Sequence, residues 1–259
     1  MTTEPTARPL KGRIALVTGA ARNIGRAIAL ALAEDGADVA VHTRSALADA
    51  EETARLVRDR GVRSVVVSGD LADPAQADAA VAAAVAGLGG LDIIVNNAAL
   101  RREGRIETID YAAWREIMGA TLDGAFLATR AAMPHILARA ASGGGRIVNI
   151  GGMTGHSGAP ERVHVVTAKA GLVGFTKALA HDLAEYGVTS NCVVPGMIDT
   201  VRGGSNPEKA AHHADRKILL GRRGRPEEVA GMVRHLCGPT AGFVTGQTIH
   251  VNGGAYLPG

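Results

Sequence analysis

Short β-branched runs alternate along this chain with alanine-rich stretches whose apolar residues recur at helical spacing. That rhythm predicts parallel strands joined by helical crossovers. Apolar runs place strands at 14–18, 39–42, 64–68, 93–96, 146–150, 190–194 and 248–251. Between them, amphipathic periodicity places helices at 24–34, 46–60, 74–86, 111–139, 163–185 and 226–236. With right-handed crossovers the expected fold is α/β, a doubly wound seven-stranded parallel sheet with helices on both faces. Residues 203–217, polar and rich in His, Asn and Gly, break the rhythm and are expected to form a mobile flap over the site.

Composition narrows this picture. A chain of 259 residues, 46% hydrophobic, suits one domain over 11–259 with a large core, preceded by a disordered tail over 1–10. The net charge of +3 is small and its basic residues are scattered, which argues against a nucleic-acid partner and for small anionic ligands. Cys192 and Cys237 lie in apolar stretches read as strand and helix, so they are expected to be buried thiols, and no Cys/His spacing suggests a metal site. No segment has the length or composition of a signal peptide or a membrane span, and a cytoplasmic location is expected.

The first strand runs into Thr18-Gly19-Ala20-Ala21-Arg22-Asn23-Ile24-Gly25 and then directly into a helix. A glycine-rich turn between a strand and a helix is a phosphate-binding turn. Gly19 permits the tight reversal, Gly25 permits close helix–strand packing, and the free amides around Asn23 and Ile24 suit a pyrophosphate. Asn23 is among the few residue types that tolerate a left-handed backbone. The second strand ends in Val41-His42-Thr43-Arg44-Ser45, without the carboxylate that would bind a ribose 2′-hydroxyl. Arg44 and Arg22 are instead candidates for a 2′-phosphate, which makes the expected cofactor NADP(H), with NAD(H) as the alternative.

Together with further motifs, this turn resembles the short-chain dehydrogenase/reductase family, a Rossmann-like family, over residues 11–258. The resemblance implies that Asp70 and Leu71 flank the adenine and that Asn96-Asn97-Ala98-Ala99 lies beneath the adenosine ribose, with Asn96 and Ala98 as contacts. It also implies that Pro195, Gly196, Ile198 and Thr200 belong to the loop that meets the nicotinamide amide. Lys169, opening Lys-Ala-Gly-Leu, resembles the family's catalytic lysine. Its expected partners have been replaced. The tyrosine position four residues earlier is Val165, the serine position thirteen residues before that is Gly152, and the helix asparagine is read as Thr121 in Thr121-Leu122-Asp123-Gly124-Ala125-Phe126.

A valine moves no proton, so other residues come into question. Lys169 should face the cleft, as ribose anchor or as acid/base group. His156, in the loop read over 153–162, titrates near neutrality and is the candidate donor; His164 is turned about 100° from Val165 and should point away. Of the three tyrosines, Tyr111, Tyr186 and Tyr256, none is expected in its own subunit's cleft. One of Arg101, Arg102 and Arg105 is a candidate for a substrate carboxylate or phosphate. Three functions stay open: an NADP(H) oxidoreductase of a small, anionic carbonyl or alcohol with a non-standard proton relay; a non-redox hydratase, isomerase or cyclase; and a dinucleotide-binding sensor. The resemblance further implies a homo-oligomer, a tetramer or dimer, through residues 111–139, 163–185 and 246–256, whose apolar faces include Leu172, Phe175 and Leu179.

Overall fold

The computed structural model describes residues 8–200 and 217–258. The expected flap lies almost wholly outside the described residues, as does the tail before Arg8. Leu10 departs from the expected tail: it is buried in the core and its amide donates to Asp35 O, because an apolar side chain beside the first strand finds a ready-made hydrophobic floor.

Seven parallel strands form one sheet in the order β3-β2-β1-β4-β5-β6-β7. They are β1 (Ile14–Val17), β2 (Asp38–Thr43), β3 (Ser64–Ser68), β4 (Ile93–Asn96), β5 (Arg146–Ile150), β6 (Thr189–Pro195) and β7 (Thr248–Val251). The helices are α1 (Asn23–Glu34), α2 (Leu47–Arg58), α3 (Pro74–Leu88), α4 (Tyr111–Met118), α5 (Gly124–Arg139), α6 (Thr154–Ser157), α7 (Val163–Asp182) and α8 (Pro226–Cys237). β1, β4, β5 and β6 are buried along their whole length, which is why none of them shows an alternating pattern; β1 and the Ile93–Val95 stretch of β4 are wholly apolar, while β5 and β6 bury Arg146, Asn149, Thr189, Ser190 and Asn191. On one face Ile28, Leu32, Val39, Val41 and Val233 join α1 and α8 to the sheet. On the other Leu16, Ala40, Val81, Ile94 and Ile136 join α3 and α5.

Strand order reverses between β1 and β4, and the crevice at their carboxyl ends is where such sheets bind ligands. A buried polar chain braces that crevice from below. Asn96 Nδ2 on β4 donates to Thr129 Oγ1 on α5 (2.9 Å) and to Asn149 Oδ1 on β5 (2.8 Å), and Asn149 Nδ2 donates to Thr176 Oγ1 on α7 (2.9 Å). Replacing Asn149 by Ala strands an amide of Asn96 in the interior, so Asn149→Ala is expected to lower unfolding stability by about 2–3 kcal/mol in a denaturant titration.

Two departures from the sequence pattern bear on the site. The helix expected to run unbroken over 111–139 is divided by a π-helical turn, Gly119–Asp123, which contains Thr121. A π-turn inserts a residue into the helical repeat and leaves no hydrophobic signature, so periodicity passes over it. The loop expected over 153–162 contains the one-turn helix α6, and a Cβ on its Gly155 would come within 3.0 Å of the α7 backbone.

Candidate active site

The turn after β1 is held by a ring of hydrogen bonds. Thr18 Oγ1 accepts from the amides of Asn97 (2.9 Å) and Ala98 (3.0 Å), and Asn97 Nδ2 donates to Thr18 O (2.9 Å) and Gly19 O (3.0 Å). Gly19 has φ +62°, and a Cβ there would stand 2.9 Å from Ala98 Cα, so both backbone conformation and space demand glycine. Asn23 has φ +51°, the left-handed conformation expected of it. At the N-terminus of α1, Arg22 makes no side-chain cap bond and the first turn holds no acid, whereas Asp73 and Asp110 cap α3 and α4. The N-cap of α1 thus supplies no side-chain acceptor, an arrangement that suits an anionic ligand.

Arg22 and Arg44 both border this crevice, and each has a carboxylate partner from outside the segment in which an acid was sought. Arg22 pairs with Asp49 in the first turn of α2, and Arg44 pairs with Asp70 at 3.7 Å. The pairing with Asp49 holds the Arg22 guanidinium above its ordinary pKa and the Asp49 carboxyl below its own.

Several positions expected to touch a cofactor face inward. Asn96 is committed to the interior chain described above, and Asn97, which sequence reasoning did not single out, makes the bonds to the turn. The Leu71 side chain is packed in the core beneath α5, not beside an open cleft, because its apolar surface is better buried there. Ala98 is at the turn, through its amide and its contact distance to Gly19. Beyond β6, Pro195 O accepts from Met153 N, a Cβ on Gly196 would lie 2.6 Å from Asn252 Cβ, and Ile198 is buried and bridged to Gly224. Thr200 is half-buried at the last described position of this segment.

Lys169 projects from α7 toward the end of β5, where its Nζ donates to Ile150 O at 2.6 Å. Only 7% of the residue is exposed. Burial, reinforced by the charge of Arg101, pushes the Lys169 ammonium down to about 7. Gly152 adjoins it, and a Cβ there would meet Lys169 Cγ at 3.5 Å, an ordinary contact. Val165, one helical turn before Lys169, is buried against Ile117 and Ala168, with Leu100, Met118 and Leu122 around them. Thr121 is buried on the π-turn and its Oγ1 has no hydrogen-bond partner.

The other proton-donor candidates go elsewhere. His156 on α6 packs edge-on against His250 of β7, with ring centroids 4.7 Å apart, and lies 6.0 Å from the Tyr256 ring. Apolar contact with Met153 and Val194 holds Tyr256 and the tail around it on their own chain. His164 is buried and carries a backbone hydrogen bond to Arg162, in keeping with a ring turned away from Lys169. Arg102 pairs with Glu116 and Arg105 with Glu107, and the charge of Arg101 reaches Lys169. The loop that carries these arginines is joined to the start of α7 by a bridge between Gly104 and Arg162, with Gly104 N donating to Glu161 O at 2.8 Å. Cys192 and Cys237 are free and buried, and burial raises their thiols to about 11 and about 12. Among the described residues no group of three or more His, Cys, Asp or Glu side chains is arranged to hold a metal, and no helix is long and apolar enough to cross a membrane.

A doubly wound parallel sheet with a glycine-rich turn at its switch point defines the Rossmann-like class of α/β folds. Residues 19–256 match the family described as enoyl-(acyl carrier protein) reductase. The 3-oxoacyl-(acyl-carrier-protein) reductase of Staphylococcus aureus is 35% identical over 243 residues, covering 94% of this chain and 98% of that protein. Among solved structures, a putative short-chain alcohol dehydrogenase from Sinorhizobium meliloti 1021 superposes with a TM-score of 0.89 at 37% identity, covering 96% of this chain and 98% of the other. A dehydrogenase/reductase from the same organism gives a TM-score of 0.90 at 36% identity, covering 97% and 98%. The chain belongs to the short-chain dehydrogenase/reductase family of oxidoreductases.

Proposed function

We propose that the protein is an NADP(H)-dependent oxidoreductase acting on the carbonyl or alcohol of a small anionic substrate, with Lys169 in place of a tyrosine as the group that exchanges the proton. The observation that carries this reading is the buried Lys169, held near neutrality beside Gly152 and Val165, which the resemblance reads as the positions of the family's serine and tyrosine. A general acid/base works best with a pKa near the operating pH. The relatives named as reductases and dehydrogenases support a hydride-transfer chemistry.

The residues fit the cofactor. Gly19, the left-handed Asn23 and the α1 amides at Ile24 and Gly25 suit the pyrophosphate, while Arg22 and Arg44 would hold a 2′-phosphate in place of their present partners Asp49 and Asp70. The bound nicotinamide supplies or accepts the hydride. Lys169 then gives a proton to the substrate oxygen in reduction, or takes it in oxidation, and Ile150 O orients its ammonium. Arg101 adds positive charge to the same cleft, which favours a substrate bearing a carboxylate or phosphate.

Calorimetric titration with NADPH, NADP+, NADH and NAD+ tests the cofactor. Arg22→Ala is expected to weaken NADPH by about tenfold while leaving NADH within about twofold, since only the phosphorylated ligand uses the guanidinium. Equal loss for both ligands would place Arg22 outside the phosphate site. Following nicotinamide absorbance against a panel of small oxo- and hydroxy-acids tests the reaction. Product formation without an absorbance change favours the second reading, a non-redox hydratase, isomerase or cyclase, which the apolar surroundings of Val165 support. Binding with neither outcome leaves a dinucleotide sensor.

The α5–α7 face is proposed as the contact for a second copy. Phe126, 48% exposed, lies edge-on to Phe175 with Arg130 above its ring, while Leu172 is committed to the core. Light scattering at micromolar concentration is expected to give a dimer or tetramer; a monomer refutes the contact.

A further inference from the structure

We propose that His42 is a positioning residue of the dinucleotide cradle: its uncharged ring ties the Gly19 turn to the end of β3, and cofactor affinity falls when the ring takes up a proton. The inference rests on the dinucleotide reading above. His42 is buried at the end of β2, between the two segments that wall the crevice. Its Nδ1 accepts from Gly19 N at 3.2 Å, and its Nε2 lies 3.1 Å from Gly69 O. The His42 carbonyl accepts from the next amide, Ala20 N, at 2.8 Å. Both amides that open the phosphate turn are therefore bound by one residue.

This arrangement selects one protonation state. An amide facing Nδ1 requires a lone pair there, so the proton sits on Nε2 and is donated to Gly69 O. An imidazolium carries N–H on both nitrogens, and Nδ1–H would then oppose Gly19 N–H. The turn, which leaves no room for a Cβ at Gly19 beside Ala98, would lose one of its bonds. The elements facing the ring from β1 and β3 present the neutral Gly19, Ala20 and Gly69. The nearest acid is Asp70, after β3, which favours the charged ring and is itself paired with Arg44 beyond the end of β2. Asp70 N is tied to Gln76 Oε1 of α3. Burial outweighs these influences and lowers the His42 pKa below its ordinary value. The sign follows: the neutral ring and its tie are fully present above the ordinary imidazole range and are lost as pH falls through the lower value of the folded protein.

The test measures NAD+ and NADH affinity by calorimetry from pH 8 to pH 5. These ligands avoid the 2′-phosphate, whose own ionisation falls near pH 6. Wild type is expected to lose affinity toward the acid end of that range, by less than about 30-fold, the most that a ring with a pKa below 6.5 can cost at pH 5. His42→Asn, whose Oδ1 accepts from Gly19 N without a proton to gain, is expected to stay flat, and His42→Phe is expected to bind weakly at every pH. Wild-type affinity that does not change, or a His42→Asn profile that falls in parallel, overturns the proposal while leaving dinucleotide binding intact. No binding at pH 8 overturns the dinucleotide reading first. Should either variant fail to fold, NMR of ligand-free wild type decides the matter: the Gly19 amide shift is expected to titrate with the His42 ring, and independent midpoints refute the tie.

Discussion

Lys169→Met is expected to do two things at once: lower turnover by at least about 10²-fold and make the protein more stable. Both follow from one buried ammonium. The folded-state pKa is lowered from 10.5 to about 7, so the unfolded chain binds this proton more tightly than the folded one. The sign is therefore a cost: Lys169 destabilises the fold fully below about pH 7, and the cost declines as pH rises from there toward 10.5. A shift of this size bounds the cost near 5 kcal/mol, and the lost bond to Ile150 O returns about 1 kcal/mol, so a gain of about 2–4 kcal/mol is expected at pH 6.5. At pH 9.5 the gain should shrink to about 1 kcal/mol or less. Denaturant titrations at the two pH values check this, and a gain that does not depend on pH would mean the ammonium is not desolvated. Kinetics separates the two catalytic roles. A proton-transfer role predicts that kcat falls and that the inflection near pH 7 disappears; an anchoring role alone predicts a higher KM for the cofactor with kcat retained.

The fold was legible because short β-branched segments alternate with longer amphipathic ones, and β3, β4, β5 and β7 fall where the β-branched segments lie. The tight turn after β1 was legible because glycine and asparagine at Gly19 and Asn23 satisfy a local backbone requirement that leaves a local signature. Features that depend on partners distant in sequence were not. The Asp49 carboxylate is 27 residues from Arg22, and the Gly69 carbonyl is 27 from His42; neither pairing is visible in a window of strand or turn. Inward or outward direction was equally hidden for Asn96 and Leu71, since a motif identifies a residue type but not which face of the sheet receives its side chain. The His156–His250–Tyr256 cluster joins three elements, one of them the four-residue helix α6, too short to show a period.

Gly152→Ser combined with Val165→Tyr is expected to raise carbonyl reduction by about 10- to 100-fold over wild type, less than the full contribution of a positioned general acid because Lys169 already supplies part of that step. The serine is admitted without strain, since the nearest atom to a Cβ at Gly152 is Lys169 Cγ at 3.5 Å. The tyrosine is harder. Val165 is packed among Ile117, Ala168 and the partly buried Leu100, Met118 and Leu122, so a ring forced into that cluster would cost about 1–3 kcal/mol, whereas a ring directed into the cleft would displace none of them. In the cleft its hydroxyl meets the Lys169 ammonium, and the two groups move each other's pKa in opposite directions: the cation lowers the phenol, and a phenolate raises the lysine. Groups that act as a unit are not additive, so either substitution alone should gain less than about tenfold. The pH–rate profile supplies the decisive comparison. If Lys169 carries the proton in wild type, the double variant should shift the inflection away from pH 7 as the phenol takes over. If the double variant folds, binds the dinucleotide and gains nothing, the apolar cluster around Val165 has remade the substrate side of the cleft, and the non-redox reading becomes the stronger one.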